Sequence, residues 1–415
     1  MFQNLSIKRG YALALSLLAA TAMFWVAART VRAQGLDESV KIHGEVSLYV
    51  ESTNTNFAGD YTQDKRGTGA WSGFFGDGTK KTYSFTETRF KEAELQVDKA
   101  TKLNDDWTMV NHIELEFKTV NTNTDSQSTP PYNDIDVEEA SAKLQNSSGL
   151  YVHMGILQDA HVYTPGLLLD MAAGDDKGFD ENPAVRVGYK MDNLDVNLRY
   201  TSQFVPKAGI TMTDPKDSKK TVALKDKSIQ QTMIHVEAAY KIPEFLNALV
   251  YYTTITSANK ENANFQGQSS TLTGDAKSAY EDTGLDDTNV LAVSLVFQFD
   301  KIIPYVNLES WNTKKNAGAA SYDTQIITLG VNMKDLGPGD LIVATEQGTM
   351  SGGFYAPDPT KPDKFSDVKF TGYGAEYLFH AGKSLHGPGF KSFSNDAENE
   401  KLKGSVIYYG SKWVF

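Results

Sequence analysis

Beyond residue 28 this sequence contains no apolar run long enough for a membrane helix. Apolar residues recur instead at every second position, in short segments joined two by two through tight turns. Residues 40–51 (VKIHGEVSLYVE) set the pattern. Val40, Ile42, Val46, Leu48 and Val50 share one face, and Lys41, His43, Glu45, Ser47 and Glu51 share the other. A half-buried strand of a soluble sandwich has the same period, so the connections must decide between architectures.

Segments 90–97 and 107–117 meet at Asn104, Asp105 and Asp106. Segments 137–144 and 150–156 meet at QNSSG, and 185–189 and 194–200 meet at Asp192 and Asn193. The pairs 234–240 with 247–254, 291–299 with 302–311, and 322–333 with 341–345 follow the same plan. Each turn carries the Asn, Asp, Gly or Pro that a hairpin needs. Between hairpins the connections are long and polar: 53–84, 158–182, 204–229, 259–288 and 351–366, with 314–320 the short exception.

Short turns on one rim and long loops on the other predict an all-β, closed antiparallel transmembrane β-barrel. Soluble domains rarely carry so many long structureless loops. Fifteen strands are directly readable, counting 370–379 and 404–415. A closed barrel whose ends meet on the turn side needs an even number, which places a further strand at 389–394 (GFKSFS). The expected count is sixteen, with fourteen and eighteen as the neighbouring even numbers. Sixteen strands enclose an aqueous lumen, whereas about eight would be filled by side chains.

The N-terminus supplies the compartment. Lys8 and Arg9 precede the apolar stretch 11–28, and small residues allow cleavage after Ala33. The expectation is a signal peptide at 1–33, with an uncleaved anchor as the alternative, followed by one barrel domain at 34–415. Losing that segment removes four basic residues and no acids, leaving 36 basic against 52 acidic residues, a net charge of −16. Such a balance argues against a nucleic-acid partner. Cysteine is absent, so disulfides and thiolate metal sites are excluded.

In a barrel the apolar face meets lipid, here the expected outer-membrane lipid, and the polar face lines the lumen. The lumen wall is expected to include Glu45, Glu92, Glu94, Glu114, Glu116, Arg186, Arg199, Glu237 and Glu309. Acids outnumber bases in this set, which predicts a preference for cations. The connection 158–182 differs from the others by its apolar core (Leu167, Leu168, Leu169, Met171) and its acids. It is expected to bend into the lumen and narrow it, with Asp170, Asp175, Asp176, Asp180 and Glu181 at the constriction. An ordinary external or partner-binding loop is the alternative. No cofactor is expected, and no metal beyond a weak Ca²⁺ candidate at Asp134, Asp136 and Glu138. Seven scattered histidines and no HExxH or Gly-rich phosphate loop give an enzyme no motif to stand on. A substrate-specific channel and a structural or adhesive barrel remain the rival readings.

The first strand with its Gly44, the unit AELQVDKATKLNDDWTMVNHIELEF and the Phe-terminated last strand resemble a Gram-negative outer-membrane general porin of the usually trimeric type. The resemblance implies a water-filled diffusion channel, a homotrimer, and a third external loop folded into the pore. It also implies that the closing strand, with Tyr409, Trp413 and Phe415, is recognised by the barrel-assembly machinery. Two features depart from the family. Its Pro-Glu-Phe-Gly-Gly loop signature is missing, and only Arg66, Arg89, Arg186 and Arg199 remain after the signal, which argues against an arginine ladder across the pore.

Overall fold

The computed structural model describes residues 40–55, 83–120, 132–158, 162–166, 182–207, 211–214, 217–223, 227–258, 287–314, 322–351, 368–397 and 400–414. The expected signal peptide and Phe415 lie outside them. The chain order is β1 (Val40–Thr55), β2 (Tyr83–Lys102), β3 (Trp107–Val120), β4 (Tyr132–Asn146), β5 (Leu150–Leu157), β6 (Asn182–Lys190), β7 (Leu194–Lys207), β8 (Thr211–Asp214) and β9 (Asp217–Ala223). It continues with β10 (Lys227–Ile242), β11 (Leu246–Ala258), β12 (Asp287–Phe297), β13 (Ile302–Lys314), β14 (Tyr322–Leu336), β15 (Gly339–Ser351), β16 (Val368–Ala381), β17 (Ser384–Ala397) and β18 (Glu400–Val414).

Sixteen of these strands form one closed antiparallel barrel, and β8 pairs with β9 as a separate two-stranded sheet. That hairpin falls within the stretch read from sequence as the polar connection 204–229. Its residues (TMTDPKDSKKTVA) lack an alternating apolar face, so nothing in the pattern announces it. The strand placed at 389–394 by counting is the middle of β17. Closure is made by β1 and β18, in register from Glu45 opposite Val414 to Thr55 opposite Gly404.

The two faces differ sharply in exposure. On β7 the outward Leu198 and Tyr200 are each 50% exposed, while inward Arg199 between them is 0% exposed. Outward apolar residues include Val185 and Val187 on β6, Ile234 and Val236 on β10, and Ile407, Tyr409 and Trp413 on β18. The inward rows combine polar and apolar groups. Arg199, His235, Glu309, Glu346 and Glu376 are enclosed, and so are Met233, Ile342, Phe370 and Leu378.

Left-handed backbone at several of the short turns lets the chain reverse there in a few residues. Asp300 and Asp335 sit at φ 52°, and Gly337 and Gly382 take φ 73° and 67° between their strands. Around the inner wall, aromatic rings lie flat on glycines of the adjoining strand. Tyr305 covers Gly330, with which it is directly in register. A Cβ on Gly330 would stand 2.2 Å from that ring, and Gly348 under Phe370 and Gly389 under Tyr408 repeat the arrangement. These joints bury a large ring without pushing it across the lumen. Gly330→Ala is therefore expected to cost about 1–3 kcal/mol, read as a lower urea midpoint for unfolding from lipid vesicles. An unchanged midpoint would show that the Tyr305 ring is not packed there.

Candidate functional site

One stretch of the lumen wall is rich in acids. On β2, β3 and β4 the inward positions carry Glu94, Asp98, Glu114, Glu116 and Glu139, because cross-strand partners share a face. A β-bulge between Glu114 and Leu115 leaves Glu138 as the extra residue of β4. Its carboxylate then approaches those of Glu94 and Glu114, whose potential ligand atoms all lie within 4.8 Å of one another. Gln96 donates a hydrogen bond to Glu114, and Gln158 donates 3.5 Å hydrogen bonds to Glu114 and Glu138. His112 bridges Asp98 (2.7 Å) and Glu114 (3.4 Å) through its two ring nitrogens. Such an all-oxygen trio is the donor set a hard divalent cation accepts. The Ca²⁺ candidate read from sequence shares only Glu138 with it, and the side chains of Asp134 and Asp136 lie outside the described residues.

Next round the wall, Arg186 on β6 stands directly opposite Arg199 on β7. The pair serves the chain itself. Arg186 Nη2 donates to the carbonyl of Gln158 at 2.7 Å, and Arg199 Nη2 donates to that of Leu157 at 2.8 Å. Two guanidinium groups thereby grip the backbone where the chain leaves β5.

From that grip the chain reaches β12 and β13, six strands further round the ring (β6, β7, β10, β11, β12, β13). Val162 is buried against Tyr251, Val290 and Ala292, with Leu249 and Trp311 packed beside it. The Tyr163 amide donates to Ser294 Oγ at 3.2 Å, and its carbonyl accepts from Asn307 Nδ2 at 2.9 Å. Its ring meets Tyr305 edge-on at 5.3 Å. Burial raises the Tyr163 phenol above its ordinary value, the Asn332 side chain acting in the opposite sense, so the group stays neutral at physiological pH. Beside Tyr163 a cavity of about 590 Å³ is lined by Lys190, Asp195, Lys241, Asn247 and Ser294 among others.

The remaining wall residues fall into smaller networks. Glu45 is ion-paired with Lys412. Glu237 lies 3.5 Å from His235, which also meets Thr253 at 2.8 Å and stacks on Tyr251. Glu309 is enclosed on β13, opposite Ala292 and Ile326. The Glu92 side chain and the acids Asp170, Asp175, Asp176, Asp180 and Glu181 lie outside the described residues. Tyr409 and Trp413 face outward.

One pairing was invisible in the sequence: His153 Nε2 lies 2.8 Å from Ser141 Oγ. The Ser141 hydroxyl donates to Glu139 at 2.6 Å, and Glu139 also lies 3.4 Å from the same His153 nitrogen. A hydroxyl has one proton to give. Here it goes to the carboxylate, so His153 serves as donor to Ser141 rather than as its base. A nucleophilic triad needs the acid on the far imidazole nitrogen, and this cluster is a wall network instead.

No protein-family model matches the sequence, and no curated protein sequence matches it. Solved structures do match its fold. The outer-membrane channel DcaP of Acinetobacter baumannii superposes with a TM-score of 0.55 at 12% identity, over 92% of this chain and 99% of that one. In-vitro folded OmpT of Vibrio cholerae, an outer membrane protein in a trimer form, gives 0.52 at 12% identity over 91% and 100%. An anion-selective porin from Comamonas acidovorans gives 0.51 at 12% over 91% and 99%. The chain has the fold of bacterial outer-membrane porins and channels.

The Tyr163 anchor can be tested without any assumption about transport. Ser294→Ala removes the acceptor of the Tyr163 amide and is expected to speed its hydrogen exchange about fivefold. An unchanged rate would show that the amide is protected by something other than Ser294.

Proposed function

We propose that this barrel is an outer-membrane porin, a water-filled channel through which ions and small hydrophilic solutes diffuse passively. The observation that carries this reading is the crossing segment. Leu157 and Gln158 are held by two arginines, and Tyr163 by Ser294 and Asn307, which supports a segment that crosses the lumen at a fixed place. Such a bar sets the width of a passage without sealing it. Residues 167–181 continue from it, and their acids complete the constriction in this proposal.

The channel prefers cations. The five inward acids of β2, β3 and β4 and Glu138 outnumber Arg186 and Arg199 beside them, and cations gain from the resulting field. The fold alone does not set the sign, since an anion-selective porin shares it. The barrel works as a homotrimer in outer-membrane lipid, a reading supported by the trimer form of a similarly folded protein. The closing strand, ending in Trp413 and Phe415, is what the assembly machinery recognises. The reading is of a channel without enzymatic chemistry, consistent with the Ser141–His153–Glu139 geometry.

Two recordings test this. Replacing Ser294 and Asn307 together with Ala frees one end of the bar, and single-channel conductance in planar bilayers is expected to change by about half or more through altered pore width. Glu94→Gln with Glu114→Gln is expected to move the reversal potential under a salt gradient toward zero. A wild type that conducts no ions would end the porin reading, and an anion-selective one would reverse the assigned sign. Deleting Phe415 is expected to lower the yield of inserted barrel several-fold while leaving the conductance of each inserted channel unchanged. Normal yield would remove the proposed role of that residue in assembly.

A further inference from the structure

Between Tyr163 and the short turn that joins β6 to β7 lies the cavity of about 590 Å³. The register orders its wall. One row runs Lys190, Asp195, Ala239, Leu249 and Ser294, each directly opposite the next. Two residues nearer the turns, Lys241 stands opposite Asn247, and Asn247 opposite Val296. Cross-strand partners share a face, and Ser294 holds the Tyr163 amide, so both rows face the lumen. Charge therefore gathers at the β6, β7 and β10 end of the cavity. Ala239, Leu249 and Val296 make an apolar patch beside it.

The lining carries two ammonium groups, Lys190 and Lys241, and two carboxylates, Asp192 and Asp195. Lys190 and Asp195 are directly opposite, yet among the described residues no ion pair joins either lysine to an acid. The Tyr151 hydroxyl donates to Asp195 at 2.8 Å, which leaves that carboxylate with acceptor capacity to spare. Lys241 has amides rather than acids level with it: Asn247 on β11, and Asn193, whose carbonyl accepts from the Lys241 backbone at 2.8 Å. Asp195 lies one diagonal step away, opposite Ala239. A simple anion at Lys241 would sit close to Asp195, and a simple cation at Asp195 close to two lysines. A solute with both charges on one carbon satisfies both groups at once. We infer that this cavity is a subsite for a zwitterionic solute with an apolar body, the chemistry of an aliphatic α-amino acid. Its ammonium meets Asp195, its carboxylate meets Lys241, and its hydrocarbon lies on Leu249 and Val296. The volume lies within the range of about 300–1,000 Å³ typical of small-molecule sites. This names a solute class for the transport reading and rests on it for the solute's route to the site.

The test is saturation-transfer NMR on the purified full-length barrel in a nonionic detergent, with L-leucine as probe. Leucine is expected to bind at least about tenfold more tightly than leucinamide or 4-methylpentanoate, which carry one charge each. Its methyl protons are expected to take up the most saturation. Lys241→Met is expected to weaken leucine about fivefold or more, and Asp195→Asn, which keeps an acceptor for Tyr151, by as much. Unchanged affinity in both variants would overturn the inference. Equal binding of 4-methylpentanoate would do so by marking a plain anion site, and equal binding of leucinamide by marking a plain cation site. The readout is binding rather than current. A barrel that conducts no ions would therefore end the transport reading and leave this measurement to decide the site.

Discussion

Hydrocarbon offers no partner for a backbone amide, and this single fact governs the molecule. A spanning sheet survives only when its first and last strands bond to each other. The pairing of β1 with β18 does this, and every other feature presupposes it. With the ring shut, alternation along each strand acquires a fixed meaning: one parity for lipid, the other for the lumen. The 50% exposure of Leu198 and Tyr200 flanking fully enclosed Arg199 expresses that meaning within three residues.

Inside the ring the physical problem is space. Polar groups must remain hydrated or paired, and aromatic rings must not block the way. The wall meets the second demand by seating Tyr305, Phe370 and Tyr408 on glycines of adjoining strands. It meets the first through short networks such as Asp98–His112–Glu114 and Glu45–Lys412. Leu157, Gln158 and Tyr163 are in turn tied to the inner wall. The first two are held by arginines of β6 and β7, and Tyr163 by β12 and β13 with Val162 packed beside it, so these contacts come from two separate parts of the ring.

The ring was far more legible than the bar. Period-two alternation and turn residues are local signals, and they mark the hairpins from 90–117 through 322–345. Counting strand ends even locates β17, where the apolar pattern is weak. The contacts of Tyr163 with Ser294 and Asn307 join residues 131 and 144 positions apart, and no local pattern encodes such a pairing. Sequence reasoning therefore singled out the acids of 167–181 and passed over Tyr163, although its neighbours Pro165 and Gly166 signal a turn. The carboxylate trio was hidden for a related reason. A single extra residue at the bulge brings Glu138 toward two strands whose register must be known first.

The order of strands also bears on how the barrel forms. Every ring contact but one joins strands adjacent in the chain or, for β7 and β10, strands separated only by a hairpin. Those contacts close loops far shorter than the whole chain and so carry a smaller entropic penalty than the seam. The β1–β18 seam alone links the two ends of the polypeptide, so it is the last to repay the ordering of everything before it. Until it forms, the sheet has two unpaired edges open to any other strand. The seam thus makes maturation a race between intramolecular closure and edge-to-edge association, one whose outcome depends on protein concentration.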